Sequence, residues 1–574
     1  MTDLGSWRFL NGLSIKQPIP WLTLTCLVLF PLFQPVGKAQ SEIPDAAQLT
    51  LAQSTQNSGV AGHPPQLSGQ RSLQEGQQLF QQAQPQAALT KFQQAEKLSK
   101  QAGDRPGEGN ALFWQGLSYN SLRQPSQAIT SYQGALAIYR SLDDRLGAGK
   151  TLNGIGEAYY SLGQAAKAIE FYNQALATYR QIGSPGEVWL RSGTTLNNLG
   201  AVYDEQNQSK PALEYYTQAL DVRRQVRDRV GEGTTLNNIG GVYFNQGDFA
   251  KALEFYQAAL TARREVGDLR GQANTLKNIG FVCRRAGQQE TQTQKSADWY
   301  GKALDYYQAA LKIWQQIGDR RAESMALNTL GGIYFDQGDY QKALGLYQQA
   351  LAASKSLGDS PETVTALSNL AFLHRTLALE PKLTEPVRQA GSNLYGAVVA
   401  ASPVGQDLAI KSPQVKQYLK ALEFYQQALK MSQRLRDRSA EAATLNKIAG
   451  IQIDLKSYGT ALTSYQQALA IYQELGDRLN QGTARHNLGV VYALQGNYQR
   501  ALDNYNRALE IVQGVGDRSI EGEIFRNIGS VYAKQRYYSE ARASFKQALA
   551  IYEKAGDRSK AEAILKDIEA IRHD

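Results

Sequence analysis

Chemistry in this 574-residue chain is bounded by four histidines and two cysteines. A metal site needs several His, Cys or carboxylate ligands at set spacings, and a nucleophile needs a base within hydrogen-bond reach. His63, His374, His486 and His573 lie too far apart for ligand spacing, and Cys283 has neither Cys nor His near it. His374 and Cys283 both stand where neighbouring segments carry an aromatic residue, so both read as packed core side chains. One stretch approaches phosphate chemistry. Asp144 to Thr151, DRLGAGKT, is one residue from the G-x-x-x-x-G-K-[ST] pattern. Asp144 replaces the leading Gly, and the stretch follows a helical segment instead of a strand, so nucleotide binding is not expected there. The residues therefore imply no catalytic group, no metal and no cofactor.

The elements are clearest in Thr234 to Ala273. Leu236, Ile239, Gly240 and Tyr243 fall at i, i+3, i+4 and i+7, one face of a helix. Gly247 ends that helix, because glycine takes the left-handed conformation without steric cost, and Asp248 caps the next. Ala252, Tyr256, Ala259 and Leu260 form the apolar face of a second, antiparallel helix.

This hairpin recurs. Its first small residue returns at Gly76, Gly116, Gly156, Gly200, Gly240, Gly280, Gly331, Ala371, Ala449, Gly489 and Gly529. A second small residue follows twelve later in nine copies, as in Ala128, Ala252 and Ala501, and is displaced to Ala303 and Ala421 in the others. An aromatic comes four after that, from Phe92 through Tyr256 to Phe545, and a further Ala three later. The dominant period is 40 residues, often closed by Gly-Asp-Arg, as at Gly103–Arg105, Gly318–Arg320, Gly476–Arg478 and Gly516–Arg518.

The order Gly, Tyr, Ala, Tyr/Phe, Ala resembles the tetratricopeptide repeat. The family's usual Pro after the second helix is missing, and its period is about 34 residues. The extra length suggests about one more turn per helix, as in the long-repeat subclass of kinesin light chains, Pins-type scaffolds and many bacterial arrays. The resemblance spans about Arg71 to Arg572. It implies an all-α, right-handed α-solenoid of about eleven helix-turn-helix repeats with a C-terminal cap helix around Ser559 to Arg572. On that cap, Lys566, Asp567 and Glu569 are expected on the open side. A lone hairpin cannot bury its apolar stripe, whereas stacked neighbours share one core.

The resemblance also implies which residues meet a ligand. In the family, first-helix residues three before the marker, and one, four and five after it, line an inner wall. The first of these positions holds Asn153, Asn197, Asn237, Lys277, Asn328, Ser368, Asn446, His486 and Arg526; beside it stand Asn198, Asn238, Asn278, Asn369, Asn487 and Asn527. An amide both donates and accepts, so a row of them can hold an extended peptide backbone. The same amides could instead tie adjacent repeats together. Charge on the wall is uneven: Lys277, Arg284 and Arg285 are expected to form a basic pocket for an acidic group, with Arg375, Lys447 and Arg526 further along, while Asp204, Glu205 and Asp336 sit beside the amides in the fourth and seventh repeats. The Lys, Asn and Arg pattern of the Hsp-tail carboxylate clamp is not traceable.

Hydrophobic content of 42% and charged content of 20% fit an ordered globular chain. The net charge of +9 is spread over the helices with no nucleic-acid reading module, so no nucleic acid partner is expected. Residues 1–39 read as a signal peptide: Arg8 and Lys16 precede the apolar stretch Trp21 to Phe33, and Gly37-Lys38-Ala39 suits cleavage before Gln40. An uncleaved N-terminal anchor is the alternative, and Thr25 before Cys26 argues against a lipoprotein. No other membrane contact is expected. Residues 40–70, rich in Gln, Ser, Gly and Pro, read as a disordered linker, and 71–574 as the solenoid. Insertions at about 288–298 and 377–416 are expected to form surface loops, the alternative being a flap that folds over the groove or docks a partner. The expectation is a non-enzymatic exported scaffold, periplasmic or extracellular, binding extended peptide or protein segments in a concave groove. The alternative is a regulatory subunit controlling a separate effector such as a caspase-like protease. Sequence sets neither the ligand nor the oligomeric state.

Overall fold

A computed structural model describes residues 64–183, 186–379 and 413–571. The expected signal peptide, most of the linker and most of the 377–416 insertion lie outside the described residues. Among the described residues, all 23 regular elements are helices. They pair as first and second helices of eleven hairpins, from Pro64–Gln81 with Pro85–Gln101 to Arg518–Lys534 with Tyr538–Ala555, followed by the cap helix Arg558–Ala570. This is the all-α solenoid the repeats imply. Two boundaries differ. The first helix begins at Pro64, so residues from there to 70 belong to the first hairpin instead of the linker. Residues 288–298 do not form a loop: they lengthen the helices Leu269–Gln289 and Thr293–Gln316, and Ser296 Oγ donates to the Gly287 carbonyl (2.7 Å).

The chain divides into two units, Met1–Val282 and Cys283–Asp574. In the first, Phe92, Trp114, Tyr132, Tyr139 and Tyr179 run through a core that joins successive hairpins. Phe92 stacks on Trp114 with centroids 5.6 Å apart. In the second unit the same role falls to Tyr347, Tyr425, Tyr465, Tyr505 and Phe545.

The joints follow from local chemistry. Gly103, Gly318, Gly476 and Gly516 have φ of +70°, +70°, +68° and +83°, the left-handed region where a Cβ is penalised. The next residue, Asp, turns its carboxylate onto the new helix: Asp104 accepts from Gly107 N–H (3.0 Å), Asp319 from Ala322 (3.1 Å), Asp517 from Ile520 (3.0 Å). In three of these four joints the Arg pairs with a Glu three residues on, and Arg438 does so after Asp437. Arg105–Glu108, Arg320–Glu323 and Arg518–Glu521 all close at 2.7 Å, and Arg438–Glu441 at 2.6 Å.

In eight of the hairpins the marker glycine lies against the aromatic of the second helix. A Cβ built on Gly116 would stand 2.5 Å from Tyr132 ring atoms; for Gly156 and Tyr172, and for Gly489 and Tyr505, the distance is 2.6 Å. Those rings are buried and cannot retreat into solvent. Ala371 and Ala449 take the marker position fully buried, so the ring seat there accommodates a methyl. Gly156→Ala should therefore lower the urea midpoint, by roughly 1–3 kcal/mol of overpacking, with little loss of helical circular dichroism in the folded baseline. An unchanged midpoint would contradict this contact.

Candidate functional site

The first helices carry the polar rows, and the structure uses both rows to join one hairpin to the next. Where the rungs form, the side chain three residues before one marker accepts and an amide two before the next marker donates. Asn238 Nδ2 donates to Asn197 Oδ1 (3.2 Å), Asn278 to Asn237 (2.9 Å) and Asn198 to Asn153 (3.4 Å) in the first unit. In the second unit Asn369 donates to Asn328 (3.0 Å), Asn487 to Asn446 (3.3 Å) and Asn527 to His486 Nε2 (2.7 Å). At the end, Arg526 and Asp567 replace the amides with an ion pair of 2.7 Å. Asp567 thus faces the preceding hairpin and not the open side expected for it, while Lys566 and Glu569 are exposed.

A second ladder runs four and five residues after the marker. Tyr160 bonds Glu205, and Asp204 bonds Asn245. Arg284 reaches Asp336 (2.7 Å) and Arg375 reaches Asp454 (2.8 Å). Aromatic pairs do the same job beside it: Phe244–Phe281 and Phe335–Phe372, with centroids 5.1 and 5.2 Å apart.

The expected basic pocket does not assemble from three free cations. Arg284 is matched by the carboxylate of Asp336, and the exposed Arg285 donates to Gln288 (3.3 Å). Lys277, in the other unit, is half-buried, has no hydrogen-bond or ion-pair partner among the described residues, and burial lowers its pKa. The donor amides keep a second function in hand. Asn278 and Asn487 are half-buried, and their own Oδ1 has no protein partner among the described residues, so each can still accept a hydrogen bond. The sequence holds open that these amides tie adjacent repeats together, and the structure shows that they do; what the sequence alone does not supply is which row donates to which. The signal of the pairing was present: an Asn three before one marker recurs with an Asn two before the next.

The phosphate-like stretch is a capped helix start. Asp144 accepts from Gly147 N–H (2.8 Å), Thr151 donates to the Gly147 carbonyl (2.7 Å), and Lys150 pairs with Glu187 (2.5 Å). The Asp144 carboxylate already occupies the Gly147 amide, and Glu187 the lysine, that a phosphate would need. Cys283 is buried, which pushes its thiol up to about 11, away from the reactive thiolate. Among the described residues no group of three or more His, Cys, Asp or Glu could hold a metal ion, and no helix is long and apolar enough to cross a membrane.

Burial shifts three groups within the range of about pH 4 to 7: His374, His486 and Asp204. Burial lowers His374 and His486 to about 4; His374 Nδ1–H donates to Gln417 Oε1 (2.6 Å) and its ring stacks on Phe424. An unfolded imidazole titrates near ~6.5. The unfolded chain therefore gains protons first, and the stability present above that pH is lost as pH falls toward 4. Asp204 is opposite. Burial raises it to about 6, helped by Glu205 and opposed by the hydrogen bond from Asn245. Its ionised form is a standing cost above pH 6 that disappears as pH falls toward the unfolded value near ~4. His486→Asn restores an amide rung to Asn527 and should flatten the acid loss, by about 2–3 kcal/mol at pH 4. Asp204→Asn should stabilise more at pH 8 than at pH 5. Urea midpoints across pH 4–8 check both.

Similar hairpins stacked along the chain, many of them tied through their first helices, define a helical-repeat protein. Tetratricopeptide repeat models match residues 73–143, 109–181, 193–228, 231–291, 298–356, 322–379, 414–474, 440–514 and 480–554. The chain belongs to the tetratricopeptide repeat family, and as such is a protein-binding or regulatory scaffold. No curated protein matches it. Among solved structures, it is similar to a signal transduction ATPase with numerous domains (STAND) protein with a tetratricopeptide repeat sensor from Pyrococcus horikoshii. That match has 16% identity over 77% of this chain and 52% of the other, with a TM-score of 0.43. It is also similar to a Rap protein complexed with competence and sporulation factor, at 15% identity over 68% and 99% of the two chains (TM-score 0.36). A third is BtubC from P. vanneervenii, at 21% identity over 44% and 92% (TM-score 0.29).

Proposed function

We propose that this chain is a non-enzymatic, exported scaffold that holds extended peptide or protein segments against the first-helix walls of its units. The observation that carries the reading is the ladder. Its rungs fix the wall side chains before any ligand arrives, which reduces the ordering cost of binding, and donor amides such as Asn278 and Asn487 retain an acceptor oxygen. An extended backbone offers N–H groups to such oxygens at regular intervals. Export rests on the leader pattern of residues 1–39 and the small residues before Gln40.

Crosslinking mass spectrometry on the chain recovered from its native host should place ligand crosslinks near the first helices, beside residues such as Lys277 and Lys447. Crosslinks confined to second-helix lysines would overturn the groove reading. The N-terminus of the recovered protein is expected at Gln40, in a fraction outside the cytoplasm. An intact Met1 in the cytoplasm would refute export without touching the binding proposal.

A further inference from the structure

Within the second unit the first ladder fails at one place. Between the eighth hairpin (Pro361–Leu379 with Pro413–Arg434) and the ninth (Arg438–Asp454 with Tyr458–Glu474), the accepting position is Ser368 and the donating one Lys447. No bond joins them. Lys447 has no hydrogen-bond or ion-pair partner among the described residues; its Nζ lies 5.9 Å from the centroid of the buried Tyr425 ring. One turn further along the same helix, Gly450 leaves the wall open over Arg375. A Cβ added at Gly450 would stand 3.5 Å from both Nη1 and Nη2 of that guanidinium. Arg375 bonds Asp454 through Nε (2.8 Å), which leaves its two Nη groups unbonded among the described residues. Residues three apart on a helix are neighbours on one face, so Lys447 lies on the same face of that helix as the Gly450 that the guanidinium covers.

We propose that Lys447 Nζ and the Nη groups of Arg375 form a receptor for one carboxylate side chain of an extended peptide, lying across the eighth and ninth hairpins. Resting on the peptide-binding reading above, it adds the ligand's chemistry. Charge complementarity carries it: the patch holds two cationic groups against the single carboxylate of Asp454, which already serves Arg375. Charge-assisted hydrogen bonds to a carboxylate are about twice as strong as neutral ones, and a guanidinium fork suits that group. An ammonium in place of the amide gives up a rung and bears a desolvation cost, which lowers Lys447 to about 8. That cost is recovered when an anion arrives. The neutral rungs on either side carry no such cost.

Lys447→Asn tests this, since Asn is the ladder's own residue and can donate to Ser368. The probes are a fluorescein-labelled glutamate decamer and a labelled pool of uncharged decamers, read by anisotropy with the full chain. Lys447→Asn is expected to weaken the glutamate decamer at least tenfold, leave the uncharged pool unchanged, and hold or raise the urea midpoint. Lys447→Arg should retain acidic binding, and Lys430→Asn, on the exposed face of the second helix, should bind as the parent does. The inference fails if Lys447→Asn binds the glutamate decamer like the parent, or if Lys430→Asn loses as much. In either case continued binding of the uncharged pool leaves the peptide reading standing. If the parent binds neither probe, both fall together. A falling midpoint with acidic affinity intact would mark Lys447 as structural and overturn the proposal.

Discussion

The contact between a glycine on one helix and an aromatic ring on the next sets the distance at which each hairpin closes. Where the ring lies 2.5–2.6 Å from the place a Cβ would occupy, as at Gly116 and Gly156, helix separation is fixed by excluded volume and not by attraction. Everything else in the repeat is built on that spacing. The alanines of the second helix, fully buried from Ala88 to Ala541, fill what the ring leaves. Neighbouring hairpins then meet at a repeatable distance, which lets short side chains such as Asn bridge from one first helix to the next.

The bridging changes how the inner wall should be understood. A row of asparagines can be taken for a set of unused hydrogen-bonding groups awaiting a peptide. Here one donor and one acceptor of each pair are already engaged with each other. Such a pair contributes about 0.5–1.5 kcal/mol, and its larger effect is to hold side chains in one orientation. On the proposed peptide-binding reading, recognition falls to what the ladder leaves over: the Oδ1 of donor amides such as Asn278 and Asn487, and the positions where a charged residue interrupts the row.

The hairpins, their markers, the capping aspartates and the packed roles of His374 and Cys283 were legible because each depends on residues close in sequence or on a strict period. The limits lay in contacts across the period. Nothing local distinguishes an Asn that faces a ligand from one that faces the next repeat, nor an Arg284 that is free from one paired 52 residues later. The Arg of Gly-Asp-Arg was visible as a motif, yet its reason, the Glu three residues further, became plain only with the ion pair in view. The insertion near 290 was expected as a loop because insertions in such arrays fall there. Its polar residues instead continue two helices, since nothing between Gln288 and Ala297 forbids helical geometry except the short break at 290–292.

Where the period is forty, the two partners of a rung stand 41 residues apart; across the longer Ser184-Pro185 joint they stand 45 apart and still meet, at 3.4 Å. Chain length between helices is therefore free to vary, while rotational phase within a first helix is not. One residue inserted between an asparagine dyad and its marker glycine would turn the rest of that helix by about 100°. The amide rung would stay in place and the charged rung beyond the marker would swing away from its partner, so a first helix that carries both, such as Pro361–Leu379, is clamped in angle at two points that no lengthening of a joint can disturb.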